Sequence, residues 1–97
     1  MTNRLISVVL PAYRAAPIVV ESIDRIRRAT KNAEIEIIVV DDGSDDGTSN
    51  EARTGGADQV IELKENRGKG AAVRAGVAAA TGSYVVFTDV DLAYEPS

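Results

Sequence analysis

Cysteine and histidine are both absent from the 97 residues. Without cysteine there is no disulfide framework and no thiolate metal site. Without histidine there is no Ser-His or Cys-His catalytic pair, and most zinc sites are excluded. Tryptophan is missing too, and three tyrosines and one phenylalanine make up the whole aromatic content. That is a poor basis for a base-stacking surface. Positive charge is in deficit: 11 Lys and Arg against 15 Asp and Glu leave a net charge of −4, so no nucleic-acid partner is expected. Apolar runs reach only about six residues, against roughly 20 for a membrane-crossing helix. The polar start, Met1 to Leu5, lacks the apolar core of a signal peptide. The expectation is a cytoplasmic chain, with peripheral attachment at the inner face of a membrane left open.

What is present is a globular composition, 44% hydrophobic, sized for a single domain over residues 1–97. Four strand-like apolar runs recur. They are Leu5 to Leu10, ended by Pro11; Ile35 to Val40, ended by Asp41; the weaker Gln59 to Leu63; and Tyr84 to Thr88, ended by Asp89. The first, second and fourth are β-branched and nearly continuous, the pattern of strands buried on both faces of a parallel sheet. Between them lie helical stretches. Val19, Ile23, Ile26 and Thr30 share one helix face, with Pro17 in the first turn. A short polar segment, 46–54, stops at Gly55 and Gly56. An alanine-rich segment, 70–81, places Val73 and Val77 one turn apart and has Gly82 as its C-cap. The order β-α-β-α-β-α-β predicts an α/β fold with an open, mainly parallel sheet. Ligands bind such sheets beyond the carboxyl ends of the strands. Pro11 to Arg14, Asp41 to Gly47 and Asp89 to Asp91 all belong on that rim.

Each motif has a chemistry and a plainer alternative. Asp89 and Asp91 flank Val90 directly after a strand. Two carboxylates at this spacing can jointly hold Mg²⁺ or Mn²⁺, which prefer oxygen ligands and share them with nucleotide phosphates. Taken alone, a D-x-D is more often just a polar strand end. Asp41, Asp42, Asp45 and Asp46 crowd four carboxylates into six residues around Gly43 and Ser44. They repel one another unless something compensates. One could accept a nucleobase N–H, and one could simply cap the next helix. A calcium-binding EF-hand is a poor match, because counting from Asp42 puts Arg53 where a bidentate Glu belongs. Asn66-Arg67-Gly68-Lys69-Gly70 opens the small-residue helix, with Arg74 one turn on. Exposed backbone N–H groups and two cations could form an anion site, and the plainer alternative is a loop with solvated charges. The spacing fits neither a Walker A loop nor G-x-G-x-x-G. Arg25, Arg27, Arg28 and Lys31 form a basic helix face, ordinarily a solvated one.

Together and in order, these motifs resemble family 2 glycosyltransferases with the GT-A fold. The resemblance rests on Val9 to Tyr13, Ile38 to Thr48, Asn66 to Gly70 and Asp89 to Asp91, and covers nearly the whole chain. Arg67 to Arg74 and Thr88 to Leu92 are similar to the polyprenyl-phosphate sugar synthases of the dolichyl-phosphate glucose or mannose type. The resemblance implies a Rossmann-like half-domain with strand order 3-2-1-4. Pro11, Ala12 and Tyr13 would line a nucleoside pocket. Asp41 would face the base, and Asp42 and Gly43 would shape its rim. Lys69 and Arg74 would lie near the base or the donor diphosphate. Asp89 and Val90 would approach the ribose, and Asp89 and Asp91 would ligate Mg²⁺ or Mn²⁺. The donor would be a UDP- or GDP-sugar, and the acceptor a polyprenyl phosphate.

Two departures bear on function. The family's acidic residues after Tyr13 are replaced by Arg14-Ala15-Ala16. The chain also stops six residues after Asp91, with Glu95 its last carboxylate, where the family continues into an acceptor-binding half. Three expectations follow: donor binding without efficient transfer, an uncovered edge strand at the fourth run, and a homodimer or higher oligomer that covers it. The alternative is a non-catalytic nucleotide-binding or dimerisation module. A sugar-nucleotidyltransferase would need a glycine-rich basic loop after the first strand, which Pro11 to Arg14 does not supply.

Overall fold

The computed structural model describes residues 4–90. Four parallel strands alternate with three helices among them: β1 Ile6–Ala12, α1 Ala16–Ala29, β2 Ile35–Asp41, α2 Thr48–Thr54, β3 Gln59–Glu62, α3 Lys69–Ala79 and β4 Tyr84–Phe87. The strand order is β3-β2-β1-β4, as expected from the family resemblance. Register runs in step, with Val9 beside Ile38 on one side and Phe87 on the other.

Alternation along each strand divides the core in two. Val8, Leu10, Ile37 and Val39 point to the face covered by α1 and α2, where Val19, Ile23 and Ala52 meet them. Val9, Ile38 and Val40 point to the opposite face, against Ala72 of α3. Leu10, Ile37, Ile38, Val39 and Val40 are fully buried, and each such side chain contributes roughly 1.5–3 kcal/mol by leaving water.

Pro11 does not end β1 but lies inside it, opposite Val40. The N–H of Thr88 reaches the carbonyl of Val9, while Asp42 N–H reaches the carbonyl of Ala12. By alternation the missing N–H of Pro11 faces the β4 side, past the last paired residue of β4, so no ladder bond is lost.

Three local expectations are corrected. The face of α3 that meets the sheet is Ala72 and Gly76, whereas Val77 is exposed. A Cβ on Gly76 would collide with the Val9 side chain, so only glycine lets α3 sit this close. Gly82 is not the C-cap of α3; Ala80 takes that place in extended conformation. Gly82 instead lies against β1, where a Cβ would come 2.5 Å from the Leu5 carbonyl. Finally, β4 is not buried on both faces. All four of its residues are exposed, because it is the sheet edge and α3 packs over β1 and β2 instead.

Candidate active site

The turns after all four strands meet at one rim of the sheet and enclose a cleft of about 290 Å³. Its lining includes Pro11, Ala12 and Tyr13 from β1 and its turn, Asp42 directly after β2, Asn66, Gly68 and Lys69 before and at the start of α3, and Asp89 and Val90 after β4. Gathering a lining from four separate segments is what a parallel sheet does at its carboxyl rim.

The aspartate-rich turn after β2 builds most of this scaffold. Asp42 is buried, and its two carboxylate oxygens accept the N–H groups of Arg67 at 2.8 Å and Gly68 at 2.9 Å. It therefore fixes the loop that leads into α3. Gly43 sits beside it at φ +79°, where a Cβ would lie 2.5 Å from the Asn66 nitrogen. Asp41 is also buried, but its carboxylate turns away from the cleft lining. One oxygen accepts the Ser44 N–H at 2.9 Å and the other the Ser49 hydroxyl at 2.6 Å. The carboxylate that reaches the cleft is thus Asp42, where the family resemblance directs Asp41 to the base.

The rest of the turn caps α1 from a distance. The Ser44 hydroxyl accepts the Arg14 N–H at 2.7 Å, Thr48 accepts the Ala15 N–H at 2.9 Å, and Asp46 accepts the Ala16 N–H at 3.3 Å. Hydrogen bonds from Thr48 and Ala16 hold the Asp46 carboxyl below the usual carboxylate range. Asp45 pairs with Arg14 at 3.4 Å. Arg14 takes a left-handed backbone, φ +51°, and its guanidinium lies 5.3 Å from the Tyr13 ring centroid.

Lys69, the first residue of α3, forms an ion pair with Asp89. Both side chains are about half exposed, at 55% and 52%. Val90 is buried in the core beneath, and its carbonyl accepts the Ser22 hydroxyl at 2.5 Å. That bond ties the turn after β4 to α1 and so positions Asp89. Arg74 is exposed on α3, with its guanidinium folded toward Gly70 rather than into the lining. Asp91 lies outside the described residues, as does Glu95.

Asn66, Gly68 and Ala72 join the lining beyond the residues singled out as binding. Asn66 and Gly68 flank Arg67 in the motif before α3, which was the available signal. Ser22 carries none, since a serine in the middle of α1 looks like any other.

As a metal site, the cleft offers Asp89, a hard oxygen ligand open to solvent. It already attracts a cation in the form of Lys69. Among the described residues no group of three acidic, cysteine or histidine side chains that could hold a metal gathers, in the cleft or outside it. This fits an ion held by one or two carboxylates plus substrate phosphates, the usual manner of Mg²⁺.

Comparison with known proteins agrees with this architecture. The family model described as "Glycosyl transferase family 2" matches residues 7–97. Dolichyl-phosphate beta-glucosyltransferase of Drosophila melanogaster is 38% identical over 99 residues, covering 89% of this chain and 30% of that protein. A mannosyltransferase from Pyrobaculum calidifontis, solved in complex with GDP-Man and Mn²⁺, superposes with a TM-score of 0.78 at 33% identity. The match covers 94% of this chain and 28% of that one. Glucosyl-3-phosphoglycerate synthase from Mycobacterium tuberculosis, solved with Mn²⁺, UDP and glucosyl-3-phosphoglycerate, gives a TM-score of 0.76 at 36% identity. Here the coverage is 90% of this chain and 33% of that one. The chain thus spans about three tenths of the length of the curated relatives it matches.

Proposed function

The chain belongs to glycosyl transferase family 2, and from that premise we propose that its cleft binds the nucleotide of a UDP- or GDP-sugar for transfer to a polyprenyl phosphate. The observation that carries this reading is the convergence of Tyr13, Asp42, Lys69 and Asp89, from four separate turns, on one cleft at the carboxyl rim. The related structures with GDP-Man or UDP and Mn²⁺ support it.

Each residue has a task in this reading. Pro11 and Ala12 form an apolar wall, and Tyr13, 44% exposed, offers a ring to the nucleoside. Asp42 is the base-facing carboxylate. Its oxygens each accept one backbone N–H and keep a second lone pair for a base N–H. Asp41 holds the turn through Ser44 and Ser49. Lys69 supplies positive charge at the start of α3 for the diphosphate, and Arg74, further along α3 and outside the lining, adds to it once its guanidinium turns from Gly70 toward the cleft. Asp89 and Asp91 form the D-x-D motif and hold Mg²⁺ or Mn²⁺. When bound, that ion offsets the negative charge developing on the leaving nucleoside diphosphate.

In this reading the described residues form the donor-binding part of the site, and none of their carboxylates is given a part in the transfer step. The exposed side chains of β4 supply a self-association surface, and the oligomer is a homodimer or larger. No helix among the described residues is long and apolar enough to cross a membrane. A polyprenyl acceptor would bring the chain to the cytoplasmic face of a membrane. One observation favours a non-catalytic module instead. Ala15, where the family carries an acid, is buried and presents no carboxylate to a donor.

Calorimetric titration with UDP and GDP, with and without Mn²⁺, separates the two readings. Metal-dependent binding that disappears in Asp89→Ala is the expected result. Absence of binding by a folded chain overturns the donor-site reading in favour of the module.

A further inference from the structure

The pairing of Lys69 with Asp89 is electrostatically unusual for its location. Lys69 opens α3, and no acidic residue lies in that helix's first turn. A helix start carries partial positive charge, so a lysine there is repelled by its own helix. No side chain caps α3 through Gly68 either. The compensating negative charge comes from Asp89, contributed by the turn after β4. The carboxylate that offers itself to a divalent ion therefore already has a cation on it.

We propose that Lys69 is the resident counter-ion of Asp89, exchanged for the divalent ion when the donor binds, and that its freed ammonium passes to the donor diphosphate. This rests on the donor-site reading above. An ammonium and a dication cannot share one carboxylate oxygen without strong repulsion. An ion arriving alone, even on the carboxylate's other oxygen, is repelled by the ammonium on Oδ1 and by the start of α3, so it binds well only when Lys69 gives way. An ion arriving with a diphosphate gives that ammonium phosphate oxygens to bind. Metal and nucleotide thus bind with positive coupling, and the coupling is reciprocal. Lys69 opposes the bare ion and favours the ion-nucleotide complex. One side chain then has opposite effects on two ligands, which a purely structural lysine would not produce.

The test is calorimetry on the whole chain with MnCl₂ alone, then with UDP in saturating Mn²⁺, for wild type, Lys69→Met, Lys69→Arg and Asp89→Asn. Lys69→Met is expected to bind Mn²⁺ alone on the order of fivefold tighter, and UDP with Mn²⁺ on the order of fivefold weaker. Lys69→Arg, which keeps the charge, should stay near wild type for Mn²⁺ alone. Unchanged or weaker Mn²⁺ binding by Lys69→Met overturns the exchange. The donor-site reading survives that result if UDP binding still needs Mn²⁺ and is lost in Asp89→Asn. If wild type binds no UDP in Mn²⁺, both fall.

A measurement on the unmutated chain guards against variants that fail to fold. Lys31, Lys64 and Lys69 are the lysines of the sequence. In carbon-13 spectra of the lysine Cε groups, Mg²⁺ should move the Lys69 signal and leave the other two in place. A Lys69 signal that stays fixed while Mg²⁺ binds overturns the proposal.

Discussion

Gly43 and Asn66 pass so close that no side chain fits between them, since a Cβ on Gly43 would stand 2.5 Å from the Asn66 nitrogen. Gly43→Ala therefore combines left-handed strain with a backbone collision, at a cost of about 2–4 kcal/mol. Gly47→Ala is the control. Its φ is also left-handed, at +86°, but nothing lies within 4 Å, so about 1 kcal/mol is expected. Thermal melts of the two variants should differ by several degrees. Equal melting temperatures would contradict the crowding argument.

Asp41 and Asp42 should separate in their effects. Asp42→Ala strips two N–H groups of the α3 loop of their acceptor. About 1.5–3 kcal/mol of stability is expected to go with it, along with most affinity for UDP. Asp41→Asn keeps an acceptor for Ser44 and should lower the melting temperature while changing UDP affinity far less. Parallel melting and titration of both variants decides the assignment, and a larger loss of UDP binding from Asp41→Asn would reverse it.

Helix α3 tolerates change on one side only. Gly76→Ala drives a methyl into Val9 and should cost about 1–3 kcal/mol. Val77→Ala, on the exposed side, should stay within roughly 0.5 kcal/mol of wild type. Denaturant unfolding of the pair measures both.

Acid stability should depend on Glu36 and Asp46. Glu36 accepts the Ser7 hydroxyl at 2.5 Å and the Thr81 N–H at 2.7 Å. These bonds hold its carboxyl below the usual range, as Thr48 and Ala16 do for Asp46. A carboxylate whose value is depressed in the folded state stabilises fully above its unfolded value, and that stabilisation fades as pH falls through the folded value. The melting temperature should therefore fall through the acidic carboxylate range. In Glu36→Gln the fall should be shallower from a lower starting point. An unaltered acid slope would show that Glu36 does not contribute.

The exposed edge predicts association that charge can suppress. Val86→Lys on β4 should shift the chain toward monomer in sedimentation equilibrium at tens of micromolar, since edge lysines discourage strand pairing. A wild-type chain already monomeric there would remove β4 as an interface.

How much of this was legible in the sequence varies by residue. Strands β1 and β2 announced themselves, because Val8 to Leu10 and Ile37 to Val40 are buried on both faces and spell that out as unbroken apolar runs. The same reasoning failed for β4, whose run looks alike but sits at the edge. An apolar run records what a strand can bury, and its position in the sheet decides what it does bury. Val73 and Val77 drew attention as the apolar face of α3, yet the ridge of Val9 and Val40 left room only for Ala72 and Gly76. Three-dimensional crowding has no period in the sequence. Within the cleft, Tyr13, Asp42, Lys69 and Asp89 were recognisable from their motifs, and the division of work between Asp41 and Asp42 was not. Two adjacent acids look identical until their hydrogen-bond partners, Ser49 for one and Gly68 for the other, are known.

The helix start after β1 is held from outside itself. Backbone N–H groups of Arg14, Ala15 and Ala16 end on Ser44, Thr48 and Asp46, about thirty residues further along the chain. Of the three side chains, Arg14 is exposed and Ala15 is buried in the core with Val19 and Ile23 of α1. The turn is an interchangeable fitting on a fixed mount. Its chemistry toward a ligand can be rewritten at the exposed position 14 without rebuilding the frame that carries it.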